Sequence, residues 1–359
     1  MNPLHQLESF GQSIWLDNLS RTLLRDGGLQ RLIGQDGVSG VTSNPTIFFK
    51  AISESPYYRT EFERLKSNPS LNAEQRYEAL AIPDIQAACD LLRPVYEKTG
   101  GNDGYVSLEV SPALARDAAG TVAAGLRLKA AIARANLLIK VPATREGLTA
   151  IEQLIAKGCS VNVTLMFSLD HVRDVAAAYI RGLEQWVKSG GDARAIKSVA
   201  SLFLSRVDTL VDKRLEALGA QAMTLRGRSG VALAKLAYEE YKTIFRGPLF
   251  AALAAKGARP QHLLWASTGT KNPAYSDVMY LEPLIGPETV NTVPDATLAA
   301  FRDHGRAEAT LERDTDAARA QFAELARLKI HMGEVGQQLQ DDGLKLFADS
   351  FVQLLALMG

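Results

Sequence analysis

Cysteine is nearly missing from this chain: 359 residues carry two, Cys89 and Cys159. Their separation fits no metal-binding pattern, and one pair builds no disulfide framework. Both are read as free thiols in a reducing compartment, which makes the expected location cytoplasmic. Histidine is scarce as well. The five copies (His5, His171, His262, His304 and His331) are scattered, without a His-Glu-x-x-His arrangement, so no metal site is read. Nor does one sign of charge dominate, since 40 Lys plus Arg balance 40 Asp plus Glu. No bulk field then draws the chain to nucleic acid or a membrane, and an anionic ligand must be gripped by a few local cations. No apolar run approaches the ~20 residues of a membrane span, and the N-terminus lacks a charged-then-apolar signal pattern. Neither Gly-x-Gly-x-x-Gly nor Gly-x-x-x-x-Gly-Lys-Ser/Thr occurs, and Ser267–Asn272 lacks the spacing of a phosphate loop. Fixed-period repeats, low-complexity stretches and long Pro/Gly/Ser linkers are absent too.

What the chain has is a hydrophobic share of 47%, ample for a large core. It also has one conspicuous cation, Lys140, inside the apolar run Leu137-Leu138-Ile139-Lys140-Val141-Pro142. A lone strand lysine commonly escapes to solvent along its own stem. Where it stays buried, desolvation favours the neutral amine, which is nucleophilic and suits Schiff-base chemistry. Other strand-like segments carry polar residues in the same alternation: Asp17 after Ile14-Trp15-Leu16, Thr42 and Asn44, Ser107 and Glu109, Asn162 and Thr164. Successive strand side chains face opposite ways, so each segment has an aliphatic face and a polar one. Antiparallel strands with one face in water would read alike. Here, however, long helical stretches separate the segments, which implies parallel pairing with a covered outer face.

Eight strand candidates lie near 13–19, 40–45, 105–111, 137–142, 161–167, 198–205, 262–267 and 288–293. Apolar spacing of three to four predicts helices at 20–34, within 113–134, at 146–157 and at 169–189, the last stopped by Ser189-Gly190-Gly191. The expected fold is one α/β domain over 1–359, a (β/α)8 TIM barrel with additional helices. Helical insertions are expected at about 46–104, with helices near 55–67 and 83–98, and at about 206–257. A closing helical segment covers about 295–357. An open doubly wound sheet is the alternative, and it wants the glycine-rich loop that is missing.

Taken together, the segments Trp15–Arg21, Gly40–Thr46, Ser107–Pro112, Leu138–Thr144 and Val161–Ser168 resemble transaldolases. The likeness runs in order through all eight strands to Thr289–Pro294, and the length is similar to the longer bacterial monofunctional branch. It implies a transferase of the non-oxidative pentose phosphate pathway, with no cofactor. A dihydroxyacetone unit would pass from sedoheptulose 7-phosphate or fructose 6-phosphate to glyceraldehyde 3-phosphate or erythrose 4-phosphate. By the same resemblance Lys140 is the Schiff-base nucleophile and Asp17 the acid/base carboxylate. Glu109 with Thr164 positions a proton-shuttling water. Thr42, Asn44, Asn162 and Ser201 are implied on the substrate, and Arg206 on its phosphate, whose planar fork suits the group. The family's second arginine has no identical counterpart; Lys271, after Ser267, is the nearest cation and is read either as a phosphate ligand or as an exposed loop charge. Phe203 stands where related small aldolases tend to carry tyrosine, which favours transfer over release of free dihydroxyacetone. A non-catalytic sugar-phosphate binder is disfavoured by the joint presence of Lys140, Asp17 and Glu109. The expected partners are sugar phosphates alone, with neither nucleic acid nor membrane, and a homodimer is the assembly to test.

Overall fold

The structure is a computed structural model that describes residues 2–359. Its centre is a closed, all-parallel barrel in which the strands follow sequence order. They are β1 (Gln12–Leu16), β2 (Val38–Thr42), β3 (Val106–Glu109), β4 (Leu137–Pro142), β5 (Val161–Met166), β6 (Ser198–Phe203), β7 (His262–Ala266) and β8 (Thr289–Val293). β1 pairs with both β2 and β8, which closes the cylinder. Helices cover its outer face, as the alternation of aliphatic and polar parities requires. The register aligns Glu109 of β3 with Lys140 of β4, and Lys140 with Asn162 of β5. Three polar residues recognised separately by parity therefore form one ring segment.

Short strand-to-helix turns lock this end of the barrel. Thr144, Ser168 and Asp117 accept the backbone N–H groups of Gly147, His171 and Gly120, capping the helices Arg145–Ala156, Leu169–Lys188 and Ala118–Ile132. The insertion after β2 holds helices Pro45–Glu54, Arg59–Lys66 and Ala73–Lys98. The third starts ten residues before the expected boundary at 83. Asn72 and Gln75 form a capping box there, so Pro83 lies inside the helix and not at its first turn. The helix expected at 20–34 is two, Arg21–Arg25 and Gly28–Asp36, because Gly27 adopts φ +69°, a left-handed conformation that glycine takes without steric cost.

After β6 come helices Ser205–Leu218, Ser229–Phe245 and Pro248–Ala254; after β8 come Asp295–His304, Thr315–Arg327 and Met332–Met358. The final helix, Met332–Met358, returns over the C-terminal ends of β4 and β5. Gly336 and Gly343 let it approach: a Cβ there would meet Ser168 Cβ at 2.7 Å and Leu165 Cδ2 at 2.9 Å. Gln340 Nε2 donates to the carbonyls of Ala143 (2.8 Å) and Leu165 (3.2 Å), anchoring the helix.

Candidate active site

At the C-terminal mouth a cavity of about 480 Å³ opens above the barrel. Nine of the twelve expected site residues line it: Asp17, Thr42, Asn44, Lys140, Ser201, Phe203, Arg206, Ser267 and Lys271. Glu109, Asn162 and Thr164 stand behind that wall.

Lys140 is 4% exposed. Its Nζ lies 3.3 Å from Glu109 Oε2, donates to the Ser43 carbonyl at 3.2 Å, and sits 5.7 Å from the centre of the Phe347 ring. Thr164 Oγ1 is buried without a hydrogen-bond partner, and Glu109 Oε2 has none beyond its ion pair with Lys140, although such groups are normally satisfied. Burial pushes the Glu109 carboxyl above its usual range, against the pull of Lys140. Asp17, just past the end of β1 and three strands round the barrel, is raised in the same way. There the charge of Lys140, the Thr42 hydroxyl and Lys271 oppose the desolvation.

Thr42 Oγ1 donates to Asp17 Oδ1 at 2.8 Å and lies 2.7 Å from Thr292 Oγ1. A hydroxyl has one proton, so Thr292 must donate to Thr42 while Thr42 serves Asp17. Asn162 is fully buried. Its Nδ2 donates to Ser107 Oγ at 3.0 Å, and its Oδ1 accepts from Ser201 Oγ at 2.7 Å, so Ser201 is the member of the pair that reaches the cavity. Asn44 caps the helix Pro45–Glu54 through Oδ1, which leaves its Nδ2 for the cavity.

Arg206 has no ion pair or hydrogen bond to its side chain among the described residues. Its guanidinium lies 5.3 Å from the Phe203 ring centre and 5.8 Å from that of Phe347. Burial lowers its pKa, and Asp17 and Glu109 oppose the shift. A charged fork held between two rings without a counterion is poised for an anion. Lys271 reaches the same cavity from the loop after β7. Among the described residues, no group of three or more His, Cys, Asp or Glu could hold a metal ion, and no helix is long and apolar enough to cross a membrane.

Ten further residues line the cavity that were not expected there, and among them Thr46, Thr292, Phe347 and Ser350 bring hydroxyls and an aromatic ring. Thr46 Oγ1 donates to Ser350 Oγ at 2.9 Å, tying the first helix of the β2 insertion to the final helix. Gly336 and Gly343, glycines in a helix interior, were the available signal of close approach. A second buried lysine also escaped the sequence reading. Lys197, 1% exposed, holds its amine 3.1 Å from Asn102 Oδ1 and 3.0 Å from His262 Nδ1. Burial lowers its pKa to about 7. It precedes β6, at the N-terminal end of the barrel and away from the mouth, where barrels of this kind keep their chemistry.

A parallel barrel whose mouth gathers a buried amine beside a carboxylate, a second carboxylate and a free guanidinium is of the class that keeps a ligand cleft at the C-terminal ends of its strands. The profile of the Transaldolase/Fructose-6-phosphate aldolase family matches residues 14–358. The chain is 56% identical to a transaldolase of Thiobacillus denitrificans (strain ATCC 25259 / T1) over 360 residues, covering 100% of both chains. It is 50% identical to a transaldolase of Neisseria gonorrhoeae (strain ATCC 700825 / FA 1090), covering 99% of both. With a transaldolase of Frankia alni (strain DSM 45986 / CECT 9034 / ACN14a) it shares 46% identity, covering 99% of this chain and 96% of that one. The chain belongs to the transaldolase/fructose-6-phosphate aldolase family and is an enzyme of the transaldolase type.

Proposed function

We propose that this enzyme moves a dihydroxyacetone unit from a ketose phosphate to an aldose phosphate through a Schiff base on Lys140. The donor is sedoheptulose 7-phosphate or fructose 6-phosphate, the acceptor glyceraldehyde 3-phosphate or erythrose 4-phosphate, and the setting the non-oxidative pentose phosphate pathway. The observation that carries this reading is the buried Lys140 amine, 3.3 Å from Glu109 and open to the cavity that Asp17 also lines.

Lys140 first gives up a proton, which Glu109 is near enough to accept. The neutral amine then adds to the C2 carbonyl. The carbinolamine loses its hydroxyl as water, with the proton returned, and leaves an iminium. The C3–C4 bonding pair moves toward the iminium nitrogen while Asp17 takes the proton of the C4 hydroxyl, so an aldose phosphate departs and an enamine remains. The enamine attacks the acceptor aldehyde, Asp17 returns the proton to the new hydroxyl, and water releases the product and Lys140. Thr164 Oγ1 has no hydrogen-bond partner and Glu109 Oε2 has only its ion pair with Lys140, which supports a shared water between these two residues. Thr42 orients Asp17. Asn44 and Ser201 serve the hydroxyls of the bound unit, with Asn162 behind Ser201. Arg206, Lys271 and Ser267 take the phosphate, and Phe203 backs Arg206.

The same reading treats the whole chain as one barrel unit in the cytoplasm, consistent with two free buried thiols, and as a homodimer, which light scattering tests. Borohydride reduction with fructose 6-phosphate, followed by peptide mass spectrometry, tests the chemistry. A three-carbon adduct is expected on Lys140 and none in Lys140→Arg, since arginine offers no usable amine. An adduct on any other lysine, Lys197 included, refutes it.

A further inference from the structure

Arg206 and Lys271 stand on different elements, yet both line the cavity. Arg206 is in the first turn of the helix Ser205–Leu218; Lys271 is in the stretch 267–281 after β7, which has neither helix nor strand. Two tyrosine–aspartate pairs fasten these elements together. Tyr275 OH donates to Asp212 Oδ2 at 2.7 Å, and Tyr280 OH donates to Asp208 Oδ2 at 2.7 Å. Asp208 and Asp212 are four residues apart, hence on one face of the helix that carries Arg206 in its first turn. Their other oxygens are also engaged: Asp212 Oδ1 accepts from Gly227 N, and Asp208 Oδ1 from Ser229 N and Gly230 N.

At the barrel edge the join is completed by Ser205, whose hydroxyl lies 2.8 Å from that of Ser267 and whose N–H donates to the Ser267 carbonyl. Tyr280 is in turn fixed to β8, its carbonyl accepting from Asn291 Nδ2 at 2.9 Å. Tyr275 packs so closely on Gly227 that a Cβ there would meet its ring at 2.8 Å. Inside the loop, Asn272 Oδ1 accepts from Ala274 N, and Thr270 Oγ1 donates to the Ser276 carbonyl, which shapes the turn that carries Lys271.

We infer that Tyr275 with Asp212, and Tyr280 with Asp208, are positioning residues that hold Lys271 at a set separation from Arg206 and so make the site select phosphorylated substrates. The inference rests on the phosphate role proposed for those two cations. Tyr275 is half-buried, so Tyr275→Phe removes one hydroxyl with little disturbance of packing. Calorimetric binding of inorganic phosphate, which needs no Schiff base, should weaken about 3- to 10-fold, the scale of one ordinary hydrogen bond. KM for fructose 6-phosphate should rise by a similar factor, with kcat within about twofold and KM for unphosphorylated fructose unchanged. Asp212→Ala, which removes the same anchor from the other side, should reproduce the pattern. In a Lys271→Ala background Tyr275→Phe should add little, since the two act through one contact.

Equal losses for fructose and fructose 6-phosphate, additivity with Lys271→Ala, or unchanged phosphate binding in Tyr275→Phe while Arg206→Ala loses it would each overturn the positioning role alone. Unchanged phosphate binding in Arg206→Ala would overturn the phosphate reading and the inference with it.

Discussion

Replacing Lys197 by methionine should change how stability depends on pH, in a calculable direction. The wild-type amine is buried at the base of the barrel between Asn102 and His262, with Asp103, Arg259 and Glu288 acting on it at longer range. Its pKa is lowered to about 7 in the folded protein, from an ordinary value of 10.5, chiefly by burial. Between those two values the unfolded chain binds more protons than the folded one, so wild-type stability rises with pH across that window. Below about pH 7 both states hold the proton, and the cost of burying the ammonium is felt in full. A depression of this size corresponds to roughly 4–5 kcal/mol over the whole window. The methionine variant lacks this contribution, while groups common to both proteins cancel in the difference. Urea unfolding followed by tryptophan fluorescence, at intervals from pH 7.5 to 10, reads that difference above the range of histidine titration. Wild type should gain about 2–4 kcal/mol on the variant across the interval. Two curves that stay parallel to within about 0.5 kcal/mol would mean that Lys197 is charged when folded, and would refute the argument.

Asp17→Asn should still form the Schiff base yet cleave C3–C4 poorly, so stopped-flow with trapping should find six-carbon adduct accumulating from fructose 6-phosphate. Glu109→Gln should instead slow adduct formation; the reverse order would exchange the two roles. Burial raises both carboxyls, so the acid limb of kcat/KM should lie above the ordinary carboxylate range and change in Glu109→Gln, and a limb at ordinary carboxylate pH in both proteins contradicts it. Arg206→Ala should weaken phosphorylated substrates on the order of 10- to 100-fold and unphosphorylated analogues little, with Lys271→Ala a smaller version; equal losses would make Arg206 structural. Thr292→Val removes the donor that holds Thr42 on Asp17, so kcat should fall about 2- to 10-fold with KM unchanged, and a rise in KM alone would disprove the relay.

The barrel was legible because its strands repeat every two residues with aliphatic and polar parities, and eight helix-separated copies permit few arrangements. Lys140, Glu109 and Asn162 were recognised one strand at a time; the register places them side by side. Parity alone does not tell a residue on the cavity wall from one behind it: Asn162 and Thr164 share the polar parity of β5, yet neither lines the cavity. Phe347 and Ser350 were illegible for a different reason. Helical spacing reports that a face is apolar, not what it faces, and the chain between β8 and Phe347 gives no reading of where the helix returns. Lys197, whose proton affinity burial lowers, sits at a strand entrance among ordinary neighbours, and its three-dimensional burial against His262 and Asn102 is what distinguishes it. The helix expected near 83–98 begins earlier, at Ala73 behind its Asn72 cap, and holds Pro83 in its interior.

The cavity takes Asp17 from beside the first strand and Phe347 and Ser350 from the final helix, more than 300 residues later. During synthesis, therefore, the Asp17 carboxylate emerges early and waits for its wall. A ribosome-bound chain with all eight strands outside the exit tunnel still lacks the aromatic surface against Lys140 and Arg206. At the ~5–20 residues per second of translation, the interval between the emergence of Asp17 and that of Phe347 lasts on the order of tens of seconds. Turnover should therefore switch on late and abruptly as the nascent polypeptide lengthens, with no foretaste from shorter fragments.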